Sequence, residues 1–208
     1  MRLRRLMKIC KLCFKEFYDD SIAHLFNKGL CFCKNCMKDI QGKFIKFDID
    51  GVKALSIYDY DDRIQSLLYQ FKGCFDVELR DIFLIRYYRE LSLKYHGYIV
   101  VPIPSYFEDD EIREFNHVVE MFKLLKLCVL YLLRKTAPMK QATSKASQRK
   151  EISHYLELID KPDLRNHKIL LVDDVYTTGS TMKAAIKLVR ELHPKRLQVL
   201  VMSKTKTI

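Results

Sequence analysis

The sequence has no hydrophobic run able to cross a bilayer. Its longest unbroken apolar stretch, residues 127–133, is seven residues long, against the roughly 20 that a spanning helix needs. The start, Met1-Arg-Leu-Arg-Arg-Leu-Met-Lys8, is basic but lacks the apolar stretch and cleavage site of a secretory signal. Together these absences predict a cytoplasmic protein without a membrane span, with peripheral attachment at the inner face of the membrane left open. There is no internal repeat and no low-complexity linker, so any boundary between parts of the chain is soft, near Gly42 or Gly51. No Gly-Lys-Ser/Thr follows a spaced glycine, which excludes a Walker A nucleotide loop.

Acidic residues are outnumbered. Against 37 Lys and Arg stand 26 Asp and Glu, for a formal charge of +11. Such an excess fits a polyanionic partner: nucleic acid, a phosphate-rich substrate or an anionic membrane face. The seven cysteines are unevenly placed, five of them falling between positions 10 and 36. In a compartment where thiols stay reduced, such clustering favours metal over disulfides. Cys10-Lys-Leu-Cys13 and Cys33-Lys-Asn-Cys36 can each present two thiolates from a tight knuckle, and four thiolates close a tetrahedral Zn²⁺ site. Cys31 and His24 are alternative ligands. A dithiol redox enzyme would need only one such pair.

Beyond the Cys-rich first 50 residues, residues 51–97 read as mainly helical. Tyr98-Ile-Val-Val-Pro-Ile103 is a short apolar run of the kind buried on both faces of a sheet, and Pro102 and Pro104 end it. Residues 112–133 carry apolar positions at intervals of three and four, which predicts one long helix. Ile169-Leu-Leu-Val172 and Leu197-Gln-Val-Leu-Val-Met202 are further strands, separated by a helix that begins near Ser180 and stops at His193-Pro194. Alternation of this kind predicts an α/β fold with a parallel sheet, whose ligands bind at the carboxyl ends of the strands.

The segment from Ile169 to Thr181 carries the most chemistry. A buried strand delivers Asp173 and Asp174, and Thr177-Thr-Gly-Ser-Thr181 then opens a helix. Unpaired N–H groups and a partial positive charge make such a helix start a seat for phosphate. Gly179 lets the backbone come close, and the hydroxyls of Thr177, Thr178, Ser180 and Thr181 add donors. The aspartates can accept hydrogen bonds from vicinal hydroxyls. A sugar with a phosphate at one end and a diol on its ring fits both halves. The plainer reading makes the acids loop groups and the Thr/Ser run a cap, but a cap needs one such residue, and here several follow two acids.

At these residues the sequence resembles the type I phosphoribosyltransferases, whose signature is an apolar run, two acids, an apolar residue, any residue, then Thr-Thr-Gly-x-Thr. The resemblance implies a site for 5-phosphoribosyl 1-pyrophosphate (PRPP) made by Asp173, Asp174, Val175, Tyr176, Thr177, Thr178, Gly179, Ser180 and Thr181, with Arg113. It makes Asp173 and Asp174 the catalytic pair that holds the ribose hydroxyls, and it implies Mg²⁺ on the departing pyrophosphate. The order of parts resembles the ComF family, which supports DNA uptake in natural transformation: a four-cysteine zinc module over residues 1–50, then a phosphoribosyltransferase-like domain over residues 51–208. Tyr69-Gln-Phe-Lys-Gly73 resembles a family segment after a first helix. Val101-Pro-Ile-Pro104 resembles the strand end where pyrophosphate would sit. Arg113-Glu-Phe-Asn116 resembles Arg-Gly-Phe-Asn, and Gln141 and Arg149 keep the family's spacing of eight. The sequence departs from the family at Glu114 and His117, in place of Gly and Gln, and in the acidic run 108–111.

From Arg134 to Lys150 stand six basic residues and no acidic one: Arg134, Lys135, Lys140, Lys145, Arg149 and Lys150. This polar loop could close over ligand as a lid, track a nucleic-acid backbone, or simply be solvated. Arg2, Arg4, Arg5, Lys8 and Lys11 beside Phe14, Phe17 and Tyr18 suit stacked single strands, unless those aromatics form the core of the zinc module. Three functions follow. The first is a ComF-type protein that binds single-stranded DNA and PRPP, with other DNA-uptake proteins as partners. The others are an active phosphoribosyltransferase and a ligand-sensing regulator without catalysis.

Overall fold

The structure, a computed structural model, describes residues 7–18, 31–105, 115–136 and 156–206. Its centre is a six-stranded sheet ordered β3-β4-β10-β9-β5-β6. The strands are β3 (Ile45–Ile49), β4 (Val52–Asp59), β5 (Tyr98–Pro102), β6 (Cys128–Val129), β9 (Lys168–Tyr176) and β10 (Arg196–Lys204). All neighbours run parallel except β3, which pairs antiparallel with β4. The three strands read from sequence are therefore all present, and β9 is long enough to take both aspartates inside its hydrogen-bonded length.

β9 is buried from Ile169 to Val172 because both of its faces are covered. On one face Leu170, Val172, Leu200 and Met202 pack with Phe71, Phe83, Leu91 and Val118. On the other, Ile169, Leu171, Val199 and Val201 pack with Met182, Ala185, Ile186 and Val189. The latter four lie on α5 (Ser180–Arg190), which returns the chain from β9 to β10. Side chains alternate along a strand, so even-numbered residues of β9 belong to the first face and odd-numbered ones to the second.

Two expectations need correction. Residues 51–97 are not helical from their start. β3 and β4 form a hairpin whose two-residue turn, Asp50-Gly51, has φ of 50° and 80°. Positive φ at both positions is the type I′ geometry whose twist matches the flanking strands. The helical part comes after it: α2 (Asp62–Leu68), a π-helical turn Tyr69–Gly73, a 3-10 segment Val77–Phe83 and α3 (Tyr88–Lys94). The hairpin turn coincides with the boundary drawn at residue 51, so β3, on the Cys-rich side of it, is part of the main sheet.

Nor is there a long helix from 112 to 133. Residues 112–114 lie outside the described part; α4 spans only His117–Phe122, followed by a 3-10 turn Lys123–Leu125. Lys126 then takes a left-handed conformation with φ of 53°, which no α-helix continues through. Cys128–Val129 joins β5 as edge strand β6, and β7 (Leu133–Lys135) pairs antiparallel with β8 (Leu156–Leu158). In so apolar a stretch, intervals of three and four arise on any reading, and the continuous run 127–133 is as compatible with strand as with helix.

The Cys-rich part contributes a small hairpin, β1 (Met7–Ile9) with β2 (Glu16–Tyr18), and α1 (Lys34–Asp39). Cys10, Phe32, Cys33, Cys36 and Ile40 are buried in the same cluster as the first face of the sheet. Phe17 packs against that cluster, while Phe14 and Tyr18 are exposed. Polar ties reinforce the contact: Gly42 N donates to Tyr87 Oη at 2.7 Å, and Lys11 pairs with Glu78.

Candidate functional site

Because β9 keeps strand geometry through Tyr176, its consecutive acids take opposite faces. Asp174 follows Leu170 and Val172 onto the first face, beneath the π-helical turn and α4. There Lys72 Nζ lies 2.5 Å from Asp174 Oδ2, and His117 Nε2 lies 3.4 Å from the same oxygen. Asp174 Oδ1 accepts from Val175 N at 2.7 Å. The other ring nitrogen of His117, Nδ1, is 3.1 Å from Ser105 Oγ, just past the end of β5. A polar chain thus runs Ser105–His117–Asp174–Lys72 across the carboxyl ends of β5 and β9. α4 is fixed beside it by Asn116, whose side chain accepts from Val119 N at 2.9 Å.

Asp173 follows Ile169 and Leu171 towards the second face. Its Oδ1 accepts from Asp174 N at 2.9 Å. Burial and the neighbouring Asp174 charge push its carboxyl well above the ordinary range, an effect that Lys135 partly offsets. For Asp174, burial acts in the same upward direction, but the His117 hydrogen bond and the Lys72 charge outweigh it and hold the carboxyl well below the ordinary range. One acid of the pair is therefore firmly ionised, and the other resists ionisation.

After Tyr176 the chain turns through Thr177 and Thr178, both exposed, into α5. Gly179 stands at the N-cap with φ of 76° and accepts Lys183 N at 2.8 Å. The N-cap makes no side-chain hydrogen bond to the helix, and a helix start leaves its leading N–H groups without intrahelical partners. Thr178 Oγ1 and Ser180 Oγ are 3.1 Å apart. The Tyr176 ring packs over Gly179 and against Phe47, with ring centroids 4.9 Å apart. Asp173, Asp174, Val175, Tyr176 and the loop from Thr177 to Thr181 are brought together at one end of β9. Arg113 lies outside the described residues, as do the acidic run 108–111 and Gln141.

Local sequence assigns no role to Lys72, Ser105 or His117. Lys72 was visible only as part of Tyr69-Gln-Phe-Lys-Gly73, and His117 only as a departure from a family pattern. Their partner lies 102 residues from Lys72 in the chain, and no local spacing announces such a contact.

The sulfurs of Cys10, Cys13, Cys33 and Cys36 all lie within 4.8 Å of one another. Cys10 and Cys36 sulfurs are 3.7 Å apart, and Cys13 and Cys33 sulfurs 3.8 Å. A tetrahedron with metal–sulfur bonds of about 2.3 Å has sulfur–sulfur edges of about 3.8 Å, so this group could hold a metal ion such as zinc. Burial works against the Cys10 thiolate, yet the N–H groups of Cys33, Cys13 and Leu12 bring its pKa down to about 7. Burial and the neighbouring cysteines push Cys36 up. His24 lies outside the described residues.

Of the expected nucleic-acid residues, Arg134 and Lys135 are on β7. Arg134 Nε is 2.5 Å from Glu157 Oε1 across the hairpin, and the charge of Lys135 reaches Asp173. Lys140, Lys145, Arg149 and Lys150 lie outside the described residues, as do Arg2, Arg4 and Arg5. Among the described residues no helix is long and apolar enough to cross a membrane.

The chain is similar to several known proteins. A family model described as Phosphoribosyl transferase domain matches residues 124–206. Competence protein ComFC of Streptococcus pneumoniae is 30% identical over 171 residues, covering 78% of this chain and 76% of that protein. Competence protein ComFC of Bacillus subtilis is 28% identical over 138 residues, covering 65% of this chain but only 57% of that protein. Among solved structures, a hypoxanthine phosphoribosyltransferase of Staphylococcus aureus matches with a TM-score of 0.41 at 13% identity, over 63% of this chain and 68% of that one.

Proposed function

We propose that this chain, which belongs to the ComFC family of competence proteins, holds PRPP at the end of β9 and handles single-stranded DNA in natural transformation. The fold is that of the type I phosphoribosyltransferases. The observation that carries the ligand assignment is the strand of β9 running through two acids into an uncapped, hydroxyl-lined helix start. The 5′-phosphate is received by the leading N–H groups of α5 and by the hydroxyls of Thr177, Thr178, Ser180 and Thr181, where the helix dipole favours an anion by about 0.3–2 kcal/mol. The acid pair faces the ribose hydroxyls, and Arg113 is assigned to the same ligand.

Carboxylates beside the anomeric carbon would stabilise positive charge there electrostatically. Carboxylates and hydroxyls also supply the oxygen donors that magnesium takes, so the residues fit that ion. When bound with the ligand, it supplies charge neutralisation on the pyrophosphate. We assign zinc to Cys10, Cys13, Cys33 and Cys36 as a structural ion, and DNA phosphates to Arg134, Lys135, Lys140, Lys145, Arg149 and Lys150.

A phosphoribosyl transfer reaction is the second reading, and the observation that favours it is His117, an imidazole whose Nε2 lies 3.4 Å from Asp174 Oδ2. Titration calorimetry of PRPP into the full chain with magnesium present tests the ligand assignment. Heat and a defined stoichiometry are expected, and their absence refutes it. Steady pyrophosphate release with any acceptor would promote the transfer reading.

A further inference from the structure

We propose that the open edge of β3 pairs with the same edge of a second copy of this chain, antiparallel, across a twofold axis at Phe47. Nothing in this pairing requires the PRPP reading.

β3, Ile45-Lys-Phe-Asp-Ile49, ends the six-stranded sheet, and among the described residues no strand lies beyond it. Its inner side is taken by β4, in the register Ile45↔Ser56, Phe47↔Ala54 and Ile49↔Val52. A two-residue turn makes the pair that flanks it, Ile49 with Val52, a hydrogen-bonded one, and such pairs recur at every second residue. The N–H and C=O groups of Ile45, Phe47 and Ile49 therefore serve β4. Those of Lys46 and Asp48 point the other way, to the edge where a strand can be added.

The two residues with outward backbone groups also carry opposite charges, one on each side of Phe47. A twofold axis at Phe47 sets Lys46 of each copy against Asp48 of the other, in the register where their outward groups exchange hydrogen bonds. A slip of one residue loses those bonds. A slip that keeps them sets Lys46 against Lys46, or Asp48 against Asp48. Lys46 is exposed and makes no ion pair among the described residues. Burial and then the Lys46 charge lower the pKa of Lys94 on α3, so Lys46 stands near a like charge that an arriving carboxylate would offset. Asp48 gives Oδ1 to Gly51 N at 2.7 Å, which leaves Oδ2 for the lysine.

On the other face of the strand, Phe47 meets Phe47 of the second copy and Ile45 meets Ile49. Ile45 and Phe47 are only half-buried in the single chain, and cross-strand aromatic and charge pairs both stabilise a sheet. The Phe47 ring lies 4.9 Å from that of Tyr176, so the second copy sits beside the ring that packs over Gly179. Edge charges commonly keep sheets apart, but that role does not call for opposite charges at mirrored positions. Left-handed Phe44 and Asp50, with φ of 52° and 50°, bound the strand, and the opposite edge of the sheet, β6, has only two residues. The contact therefore closes as a pair instead of growing into a fibre. So small a contact belongs to the weak, concentration-dependent class.

Sedimentation velocity of the full chain from about 1 to 200 µM tests the pairing. The wild-type mass should rise from 24.7 kDa towards twice that value. Lys46→Glu and Asp48→Lys each set like charges against one another, and each should weaken self-association about tenfold or more. Mixed in equal amounts, the two variants should associate again, because the mixed pair has an acid facing a lysine at both contacts. A wild type that stays monomeric throughout overturns the proposal. So does self-association unchanged in both variants, or a mixture that associates no better than the variants alone. Should Asp48→Lys fail to fold for want of its bond to Gly51, Lys46→Glu decides by itself: weaker self-association supports the pairing and unchanged self-association overturns it.

Discussion

Asp173 and Asp174 are adjacent in sequence, yet their carboxylates leave β9 on opposite faces and meet opposite electrostatic surroundings. Asp174 is held by Lys72 and His117; Asp173 faces burial and the charge of its neighbour. Their amide substitutions should therefore change stability in opposite directions. Asp173→Asn puts a neutral group where burial and the neighbouring Asp174 charge disfavour a carboxylate, and should stabilise the fold at neutral pH. Asp174→Asn leaves the Lys72 ammonium without its carboxylate and weakens the His117 contact, and should destabilise it by about 1–3 kcal/mol. Urea melts of the two variants beside the wild type decide the matter. Shifts of the same sign would mean that the two environments are alike.

The same pair predicts two pH profiles. Asp173 has a raised folded-state pKa, so its favourable contribution is complete below the ordinary aspartate value of about 3.9. That contribution is lost as pH rises through the raised value. The advantage of Asp173→Asn should thus be absent near pH 4 and grow towards neutrality. Asp174 has a lowered folded-state pKa, so its contribution is present above about 3.9 and lost as pH falls towards the lowered value. The penalty of Asp174→Asn should be full at neutral pH and shrink in acid. Melts at several pH values check both slopes.

Much of this arrangement could be read along the chain. The strand Ile169-Leu-Leu-Val172, the helix start at Ser180 and the two CxxC pairs each announce themselves locally, by an unbroken apolar run, a hydroxyl cluster and a fixed spacing. The β3–β4 hairpin was also announced, by Asp50-Gly51 between alternating apolar residues, but the helical pattern that follows it masked the signal. Residues 112–133 misled because a stretch so rich in apolar residues satisfies the helical period by default; the left-handed Lys126 that breaks it has no signature in its own identity. The ion pair of Lys72 with Asp174 was out of reach for a different reason. It depends on the turn Tyr69–Gly73 packing over the end of β9, which only the assembled sheet brings about.

The cysteine group should hold one zinc ion per chain. Cys10, Cys33 and Cys36 are packed in the same cluster as Leu79, Phe83 and Leu91, so losing the ion should loosen more than the N-terminal hairpin. Isolated zinc modules draw about 10 kcal/mol or more from their metal. Cys36→Ser should abolish stoichiometric zinc by elemental analysis and lower the melting temperature of the whole chain. Protein free of zinc, with all seven cysteines titrating readily in the folded state, would dismiss the site.

Binding to single-stranded DNA should be electrostatic. Each phosphate neutralised contributes a slope of about −0.7 to the plot of log affinity against log salt. Four contacts from the basic run would therefore lower affinity about 50-fold between roughly 50 and 200 mM salt. Replacing Lys140, Lys145, Arg149 and Lys150 together by Ala should flatten that slope and weaken binding to all sequences alike. Affinity indifferent to salt in the wild type would rule out backbone contacts as its source.

Gly179 is the position where the phosphate loop tolerates least. Its φ of 76° is left-handed, and a Cβ built there would come within 2.2 Å of the Tyr176 hydroxyl and 2.5 Å of Cζ of the same ring. Two costs therefore combine in Gly179→Ala: backbone strain of about 1 kcal/mol, and displacement of a ring that packs on Phe47. Both fall on the turn that aims the leading N–H groups of α5, so PRPP affinity should drop about tenfold or more, with only a few degrees lost in melting temperature. The double variant Gly179→Ala/Tyr176→Ala separates the causes: it recovers binding if the ring is at fault and leaves it weak if the backbone is. Calorimetry showing undiminished affinity in Gly179→Ala would mean that this turn does not seat the phosphate.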